Sequence, residues 1–402
     1  MIGYNPANPF CSLAPRQVIP SALYCTNMAD LLFKLFSVDG QSMRAWRWYR
    51  VRQVCLMVPL FMALSVINNV GMALDWLLFP SFTKQAIRQP VFVVSLPRTG
   101  TTNLLHALNA PGMPFTSMKL WEILLAPSIV QKRIIRWCWQ RMPHSLQRRV
   151  RRFDERLFNS LNNVHHASLF LPEEDDLMLM WSFSTAFMGM FYPETDVMRA
   201  HFRFDEAISE RQKKRIMKRY RRLVQRHLYA VRAGDDVRFL SKNPAMAAKV
   251  QALASHFPDG QAVVIERPPH NVLPSTMLLV ETQVTLATDV AISERETQAI
   301  FDVLAFFRQN LQRQLADRRV MPHTVVRFTD LVRDRDATIN ALLNWLGSNA
   351  EYRPHEQHRV HTSKKSYTPL TDQELASVLD EPWPVWPSES ILTVTSSSTQ
   401  PS

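Results

Sequence analysis

Short apolar runs rich in β-branched residues recur along the chain, and a helical pattern follows each of them. One such run reads VFVVSL at residues 91–96, two more begin and end the unit 238–267, and another opens the stretch 323–347. Runs without alternating polar positions are typical of strands buried on both faces of a sheet. Because helical segments separate them, the pattern predicts a doubly wound parallel α/β sheet flanked by helices. A ligand site is then expected at the carboxyl ends of the strands.

A longer apolar stretch precedes the first strand. Residues 54–74 carry no charge and are numerous enough to cross a hydrocarbon core of about 30 Å. Pro59 and Asn68 lower the apolar character of this stretch, and Asp75 follows it directly. The residues before them, 43–52, are basic and aromatic. Arginines there would keep that side in the cytoplasm, so a spanning helix would put the rest of the chain across the membrane. We expect a helix that lies in the membrane interface, with a helical hairpin packed on the main domain as the alternative.

The same patterns divide the chain into three parts. Residues 1–85 are predicted to form an N-terminal helical, membrane-associated extension, and residues 86–375 the catalytic domain. Residues 376–402 form a C-terminal tail. Its end, 388–402, is rich in Ser and Thr, and we expect this end to be disordered.

A loop of small, hydroxylated and cationic residues joins the first strand to a helix. It consists of Pro97, Arg98, Thr99, Gly100, Thr101 and Thr102. Backbone N–H groups at a helix N-terminus have no partner within the helix, and the helix dipole adds positive potential there. The hydroxyl groups and the guanidinium are suited to phosphate or sulfate oxygens. The segment therefore predicts a P-loop-like phosphate site, although the Walker A spacing G-x-x-x-x-G-K-[ST] is absent.

The form P-R-T-G-T-T after a buried strand resembles the 5′-phosphosulfate loop of the PAPS-dependent sulfotransferase superfamily, in its bacterial-type branch (PAPS is 3′-phosphoadenylyl sulfate). In that family an Arg at the end of a later strand and a Ser eight residues further on hold the 3′-phosphate. Arg267 follows the apolar run 261–266, and Ser275 has this spacing, where we expect a helix to start. The resemblance extends in motif order over residues 88–375. It implies that both segments bind PAPS.

The resemblance also implies residues for the transfer step. The pair Trp121-Glu122, followed by Pro127, matches a family pattern, and Glu122 would be the general base that removes the acceptor's proton. Lys242 lies in a segment similar to the family's Leu-Lys-Ser-Pro and would stabilise the charge of the departing phosphate. Arg98 completes the implied catalytic set. A purely structural interpretation of Glu122, as an exposed helix residue or a partner of Lys119, stays open.

One departure from the family bears on the general base. The histidine that relatives carry shortly after this lysine is missing, and Pro244 and Met246 stand in its place. This favours Glu122 and leaves three alternative bases: His165, His166 and Glu174. Near the C-terminus, residues 358–375 resemble a family loop in which Lys364 and Tyr367 would close over the adenosine or its 3′-phosphate.

The acidic run Glu173 to Asp176 superficially suggests a metal site. No His or further carboxylate follows at ligand spacing, and sulfuryl transfer needs no metal. We therefore expect no metal. Glu173 and Glu174 are interpreted as residues at a helix N-terminus that complement its dipole.

Length, charge and cysteine content restrict the possible partners of the protein and its location in the cell. The chain has 402 residues and a net charge of +12, which favours an anionic partner. A densely basic helical pattern at 209–231 has no accompanying zinc-finger, RNA-binding or helix-turn-helix pattern, so nucleic acid is not expected. Four scattered cysteines and the lack of an Asn-x-Ser/Thr sequon favour a cytoplasmic protein at the inner face of the membrane.

Together these features predict an enzyme that moves a sulfuryl group from PAPS to a hydroxyl or amine of an apolar or amphipathic, lipid-like acceptor. Two alternatives stay open. One is an ATP-dependent kinase of P-loop type, and the other is a non-catalytic protein of the same fold that binds membranes or nucleic acid. The oligomeric state and the identity of the acceptor do not follow from the sequence.

Overall fold

A computed structural model describes most of the chain from Cys55 onward. The described residues are 55–56, 58–159, 167–185, 200–234, 236–288, 292, 294–316, 320–353, 367–379, 383 and 385–394. Their strands are β1 (Val91–Val93), β2 (Phe115–Thr116), β3 (Arg238–Lys242), β4 (Gln261–Glu266) and β5 (His323–Arg327). They form one five-stranded sheet in the order β2-β3-β1-β4-β5, and all neighbouring pairs are parallel. The predicted parallel α/β architecture is confirmed.

Helices connect the strands. In chain order they are α1 (Val58–Leu78), α2 (Thr101–Leu108), α3 (Leu120–Leu124), α4 (Ile129–Arg141), α5 (His144–Phe158), α6 (Phe204–Ala207), α7 (Glu210–Val231), α8 (Val250–His256), α9 (Pro269–Thr288), α10 (Glu294–Ala316), α11 (Phe328–Arg333), α12 (Arg335–Trp345) and α13 (Asp372–Val378). Short 3₁₀ helices span Pro80–Lys84, Asp175–Ser182, Pro244–Ala248 and Ser388–Ser390.

The central strand β1 is buried on both faces, as its unbroken apolar run predicts. Phe92 packs into the larger core cluster, with residues of α7, α8 and α10. Val91 and Val93 point to the other face and pack against α2 and α12. Successive side chains of a strand alternate between faces, so each face of the sheet has its own apolar core.

Strand β1 ends at Val93, three residues before the end of the apolar run. The N–H of Val94 still donates to the carbonyl of Val263 at 3.0 Å. One residue later the hydroxyl of Ser95 accepts the N–H of Ile265 at 2.5 Å. A side chain thus replaces the backbone ladder, and the chain leaves the sheet early to form the loop.

The N-terminal helix α1 continues through Asp75, where the sequence suggested an end to the apolar stretch. Asp75 is fully buried and accepts hydrogen bonds from the N–H groups of Ile129 (3.0 Å) and Val130 (3.1 Å) at the start of α4. Its carboxylate also pairs with Arg226 of α7 at 2.8 Å. Asp75, which interrupts the apolar pattern in the sequence, therefore holds α1 against the domain.

The C-terminal segment 385–394 packs along β5, so the expectation of disorder from residue 388 is wrong for 388–394. Trp386 is 4% exposed, and Ile391 forms a parallel bridge with Val325. The N–H of Leu392 donates to the carbonyl of Val325 at 2.8 Å. This segment pairs with a strand that would otherwise be an open edge of the sheet. Residues 395–402 lie outside the described residues.

Candidate active site

The loop after β1 lies where the order of the strands reverses, because its neighbours are β3 on one side and β4 on the other. Such a switch point is where α/β sheets bind ligands. Arg98 and Gly100 have φ angles of 62° and 91°, with Thr99 between them. Left-handed residues alternating with ordinary ones direct backbone N–H groups into a concave site for anions. The Thr99 hydroxyl donates to the carbonyl of Leu96 at 2.8 Å and closes the loop.

Gly100 is the N-cap of α2, and no side chain caps the first turn of this helix. The N–H groups of that turn, at Thr101 and Thr102, therefore face the loop without a partner from their own helix. A Cβ at position 100 would lie 3.1 Å from the ring of Phe328, and the positive φ is unfavourable for other residues. Glycine is thus required here by both backbone conformation and space.

Arg267 follows β4 and reaches this loop directly. Its guanidinium donates to the carbonyl oxygen of Arg98 and to the hydroxyl of Tyr367. The guanidinium carbon lies 4.4 Å above the centre of the Phe328 ring. These partners are all neutral, so they orient the cation without cancelling its charge.

Ser275 contacts the first of the two arginines, Arg98. The Nε of Arg98 donates to the Ser275 hydroxyl at 3.0 Å, across a separation of 177 residues in the sequence. The expected position at a helix start is wrong, because α9 begins at Pro269 and Ser275 lies in its second turn. The arginine pair is therefore bordered by the side of a helix at Ser275, in addition to the N-terminus of α2.

A proline inside α9 helps to bring Tyr367 into the site. Pro274 has no N–H, so the carbonyl of His270 one turn earlier has no partner within the helix. The N–H of Leu370 donates to that carbonyl at 3.0 Å. This bond holds the segment that carries Tyr367, whose hydroxyl also lies 3.3 Å from Oδ1 of Asn271.

The electrostatics of the arginine pair favour an anion. Burial, followed by the nearby charge of Arg267, lowers the pKa of Arg98. Two guanidinium groups in partly buried positions repel each other, and a dianion between them would relieve that repulsion. The site is thus cationic before any ligand enters.

Lys242 lies at the same edge of the sheet, at the end of β3. The N–H that follows it, of Asn243, donates to the carbonyl of Val93 at 3.1 Å, which places it beside the start of the loop. The Nζ of Lys242 lies 3.0 Å from Oε1 of Glu174. Burial lowers the pKa of Lys242, but the charges of Glu174 and Glu173 outweigh burial and raise it. Lys242 is therefore a buried cation whose partner, Glu174, keeps 17% of its side chain exposed.

Asp175 and Asp176, the two residues after Glu174, hold the segment that carries it in place. Asp175 is buried and accepts hydrogen bonds from Tyr220 and, at 2.7 Å, from Ser241. Burial raises the pKa of Asp175 to about 6. Asp176 is also buried and pairs with Lys249. Neither role could be predicted from the sequence, because each partner is distant along the chain.

Asp175 and Asp176, the last two residues of the acidic run, consequently have a structural function next to the site. In the described parts of the chain, no group of three or more His, Cys, Asp or Glu side chains converges as a metal site.

Glu122, the base implied by the family pattern, lies in a different cluster. It is 1% exposed and accepts hydrogen bonds from Arg136 (2.7 Å) and from the backbone N–H of Lys119 (3.0 Å). Burial would raise its pKa, but Lys132, His227, Lys119 and Arg136 outweigh burial and lower it to about 2. These partners belong to α4, α7 and the start of α3, and none belongs to the loop 97–102. The structure therefore does not bring Glu122 into contact with the arginine pair or with Lys242.

Three of the residues proposed from the sequence lie outside the described residues, namely His165, His166 and Lys364. The structure brings together Arg98, Arg267, Ser275 and Tyr367, with Lys242 and Glu174 at the neighbouring strand end.

Comparison with known proteins identifies the family and the fold. A family model described as "Sulfotransferase family" matches residues 90–352. No curated protein matches the chain. The fold is similar to the crystal structure of the sulfotransferase STF1 from Mycobacterium tuberculosis H37Rv, with a TM-score of 0.59, 18% identity, and coverage of 81% of this chain and 83% of the other. It is also similar to the sulfotransferase STF9 from Mycobacterium avium, with a TM-score of 0.58, 14% identity, and coverage of 90% of each chain. Because the family match spans more than half of the sequence, from before the phosphate loop to beyond β5, the chain belongs to the sulfotransferase family.

Proposed function

We propose that this sulfotransferase uses PAPS as donor and transfers the sulfuryl group to a hydroxyl or amine of an apolar or amphipathic acceptor. One observation carries the choice of donor. Arg98 and Arg267 are 169 residues apart in the sequence, yet the Arg267 guanidinium donates to the Arg98 carbonyl, and Arg98 itself contacts Ser275. A nucleotide with phosphates at both the 5′ and the 3′ position fits two adjacent anion sites of this kind.

The donor's two ends would be held by different parts of the site. The backbone of residues 97–102, with the hydroxyls of Thr101 and Thr102 and the guanidinium of Arg98, would bind the 5′-phosphosulfate. Arg267 and Ser275 would bind the 3′-phosphate, and Tyr367 would orient Arg267 through its hydroxyl. In this arrangement the Arg98–Ser275 hydrogen bond is replaced by bonds to the donor.

The transfer step needs a base on the acceptor side and a cation at the leaving group. We assign the base to Glu174, because its carboxylate is partly exposed and lies against Lys242. The acceptor oxygen or nitrogen forms a bond to sulfur as the bond from sulfur to the phosphate oxygen breaks, and its proton passes to Glu174. Lys242 stabilises the negative charge that develops on the departing phosphate. Glu122 is not assigned this role, because a carboxylate with a pKa near 2 is a weak base.

The apolar character of the acceptor is supported by the segment next to Glu174. The 3₁₀ helix Asp175–Ser182 carries Met180 and Trp181, which form an apolar cluster. The ring of Phe61 from α1 stacks on Trp181, with centroids 5.2 Å apart. The 3₁₀ helix that follows Glu174 thus packs on the N-terminal helix through apolar side chains, and this apolar surrounding supports an apolar acceptor.

Nucleotide binding tests the choice of donor. Calorimetry should show that the full-length protein binds adenosine 3′,5′-bisphosphate more tightly than adenosine 5′-monophosphate, and without magnesium. Arg267→Gln should weaken binding of the bisphosphate by about 10- to 100-fold, because a charge-assisted contact is lost. Its affinity for the monophosphate should hardly change. Arg333→Gln is the matched control, since Arg333 has a side chain that is 71% exposed and lies in α11.

Other outcomes would identify the alternatives. Tight binding of ATP with magnesium and no preference for a 3′-phosphate would indicate a kinase. Absence of nucleotide binding, together with salt-sensitive binding to vesicles or oligonucleotides, would indicate a non-catalytic protein.

A further inference from the structure

Helix α1 exposes a long apolar face. We define the apolar stripe as Leu60, Val66, Ile67, Val70, Leu74 and Leu77, which are between 40% and 76% exposed in the described part of the chain. The helix has 21 residues, and a helix of that length extends about 30 Å. By length and composition this helix is a candidate membrane span. Only 22% of its most apolar window is buried inside the protein. A helix that belonged to a protein core would have most of this window covered.

The polar residues of α1 face the protein. Asn68 donates to the carbonyl of Leu124 at 3.1 Å, and its own oxygen accepts from Gln131 at 2.8 Å. Asn69 accepts from Arg219 at 2.8 Å. The usual orientation of an amphipathic helix on a soluble protein is therefore reversed, with polar groups inward and apolar groups outward.

The contacts on the inward face also fix α1 in place. Asp75 is 0% exposed, caps the start of α4 and pairs with Arg226. The helix backbone approaches α4 so closely at Gly71 that a Cβ there would lie 2.8 Å from Ser128. Crossing a bilayer would require α1 to leave these partners and place the Asp75 carboxylate in hydrocarbon, which is strongly unfavourable. The docked helix is thus suited to lie on a surface and not to span one.

The neighbouring helix α4 adds exposed aromatic and cationic groups. Trp137 and Ile134 are each 55% exposed. The guanidinium of Arg141 lies 4.2 Å from the centre of the Trp137 ring, and that of Arg133 lies 4.4 Å from the ring of Phe79, just after α1. Tryptophan with adjacent arginines is typical of the boundary between acyl chains and anionic headgroups.

We propose that the apolar stripe, together with α4, docks this protein onto the surface of an anionic phospholipid bilayer, with α1 lying in the plane of the interface. Apolar area and arginine charge then act together, and the net charge of +12 adds attraction to an acidic leaflet. A second copy of the chain is a less suitable occupant, because self-association across this face would bring the arginines of α4 from both copies together. This proposal does not depend on the choice of sulfate donor.

Vesicle sedimentation tests the proposal with the full-length protein. Vesicles of phosphatidylcholine alone are compared with vesicles of phosphatidylcholine and phosphatidylglycerol at a ratio of about three to one. We expect binding to the mixed vesicles to exceed binding to the neutral ones. Val66→Gln/Val70→Gln should reduce partitioning to the mixed vesicles by about tenfold or more, because two apolar side chains no longer enter the interface.

A matched valine pair provides the control. Val332 and Val385 are 67% and 81% exposed and lie outside α1 and α4. Val332→Gln/Val385→Gln should bind vesicles as the unaltered protein does, and both double variants should keep their affinity for adenosine 3′,5′-bisphosphate. That second measurement separates a failure of docking from misfolding.

Three results would overturn the proposal. The first is equal vesicle binding by the two double variants. The second is an unaltered protein that does not bind vesicles but forms a dimer, together with a Val66→Gln/Val70→Gln variant that is monomeric. The stripe would then be an interface between copies. The third is an unaltered protein that neither binds vesicles nor self-associates, which would mean that another part of the chain covers the stripe.

Discussion

Two glutamates compete for the role of general base, and their surroundings predict opposite phenotypes for the same substitution. Glu174 has a side chain that is 17% exposed and pairs with Lys242 at 3.0 Å. Glu122 has a side chain that is 2% exposed, with Arg136 at 2.7 Å and the fully buried Lys132 at 4.0 Å. Replacing each by glutamine removes the charge and the proton-accepting function while it preserves the shape.

For Glu174→Gln we expect a large loss of turnover and a smaller loss of stability than for Glu122→Gln. A positioned general base contributes about 10²- to 10⁴-fold to rate, so kcat should fall within that range while donor affinity is maintained. The glutamine oxygen still accepts a hydrogen bond from Lys242, and the side chain remains partly solvated. Lys242 is buried and loses the charge of its nearest partner, but it keeps the charge of Glu173 nearby. The free energy of unfolding should therefore fall by about 1–3 kcal/mol, less than for Glu122→Gln.

For Glu122→Gln we expect the reverse. Removing one partner from a buried ion pair leaves the remaining cations without compensation, which costs about 3–5 kcal/mol of stability. Turnover per folded molecule should stay close to that of the unaltered protein. The effect should also fade at low pH. The folded-state pKa of Glu122 is about 2, against an ordinary value of 4.5, so its contribution to stability is complete above pH 4.5 and is lost as the pH falls toward 2.

Two measurements on both variants decide between the glutamates. Release of adenosine 3′,5′-bisphosphate from PAPS, in the presence of a total lipid extract as the source of acceptor, reports turnover. Urea denaturation reports stability and the folded fraction. If Glu122→Gln abolished turnover in a fully folded sample while Glu174→Gln kept it, the assignment to Glu174 would be refuted and Glu122 would be the base.

Two further predictions concern the loop and the buried histidines. Gly100→Ala should lower the affinity for adenosine 3′,5′-bisphosphate by about tenfold or more, because the φ of +91° and the Phe328 ring at 3.1 Å force the loop to move. Gly112→Ala is its control, with a φ of +88° and no atom within 4 Å of the new Cβ, and equal affinity losses in the two variants would contradict this reasoning. Lowering the pH from 6.5 toward 3 should reduce the urea midpoint, since burial lowers the pKa of His201 and His227 to about 3 and only the unfolded chain gains their protons in that range. A midpoint independent of pH over this range would show that these histidines are not buried in the neutral form.

Local patterns in the sequence were sufficient to predict the architecture. The unbroken apolar runs around Val91 and Val263 specify strands covered on both faces, and the structure has them paired in parallel. The loop from Pro97 to Thr102 could be proposed for the same reason, since it depends on a strand end and a few adjacent residues, whereas Arg267 was proposed from the resemblance to the family. That Arg98 and Arg267 lie together follows from the parallel order of β1 and β4.

Features that depend on distant partners could not be predicted in this way. The sequence around Asp75 shows only a charge after an apolar run, and its role appears when Arg226 and the start of α4 are in place. Glu122 matches a family pattern, but its pKa is governed by Lys132 and other cations on separate helices. Ser275 has the expected spacing from Arg267 and still lies in the second turn of α9, because Pro269 begins the helix earlier.

The central position of β1 affects how the protein is made on the ribosome. β1 is the first strand of the sheet to be synthesised, but the partners of Val91 are Leu240 and Gln261, which emerge much later. The partner of Asp75 in helix α1, Arg226, is likewise synthesised much later. The nascent chain therefore carries two unpaired apolar segments while roughly 150 further residues are synthesised, a state that attracts chaperones and promotes aggregation. The sheet can be completed only after β5 and the segment beside it have left the exit tunnel.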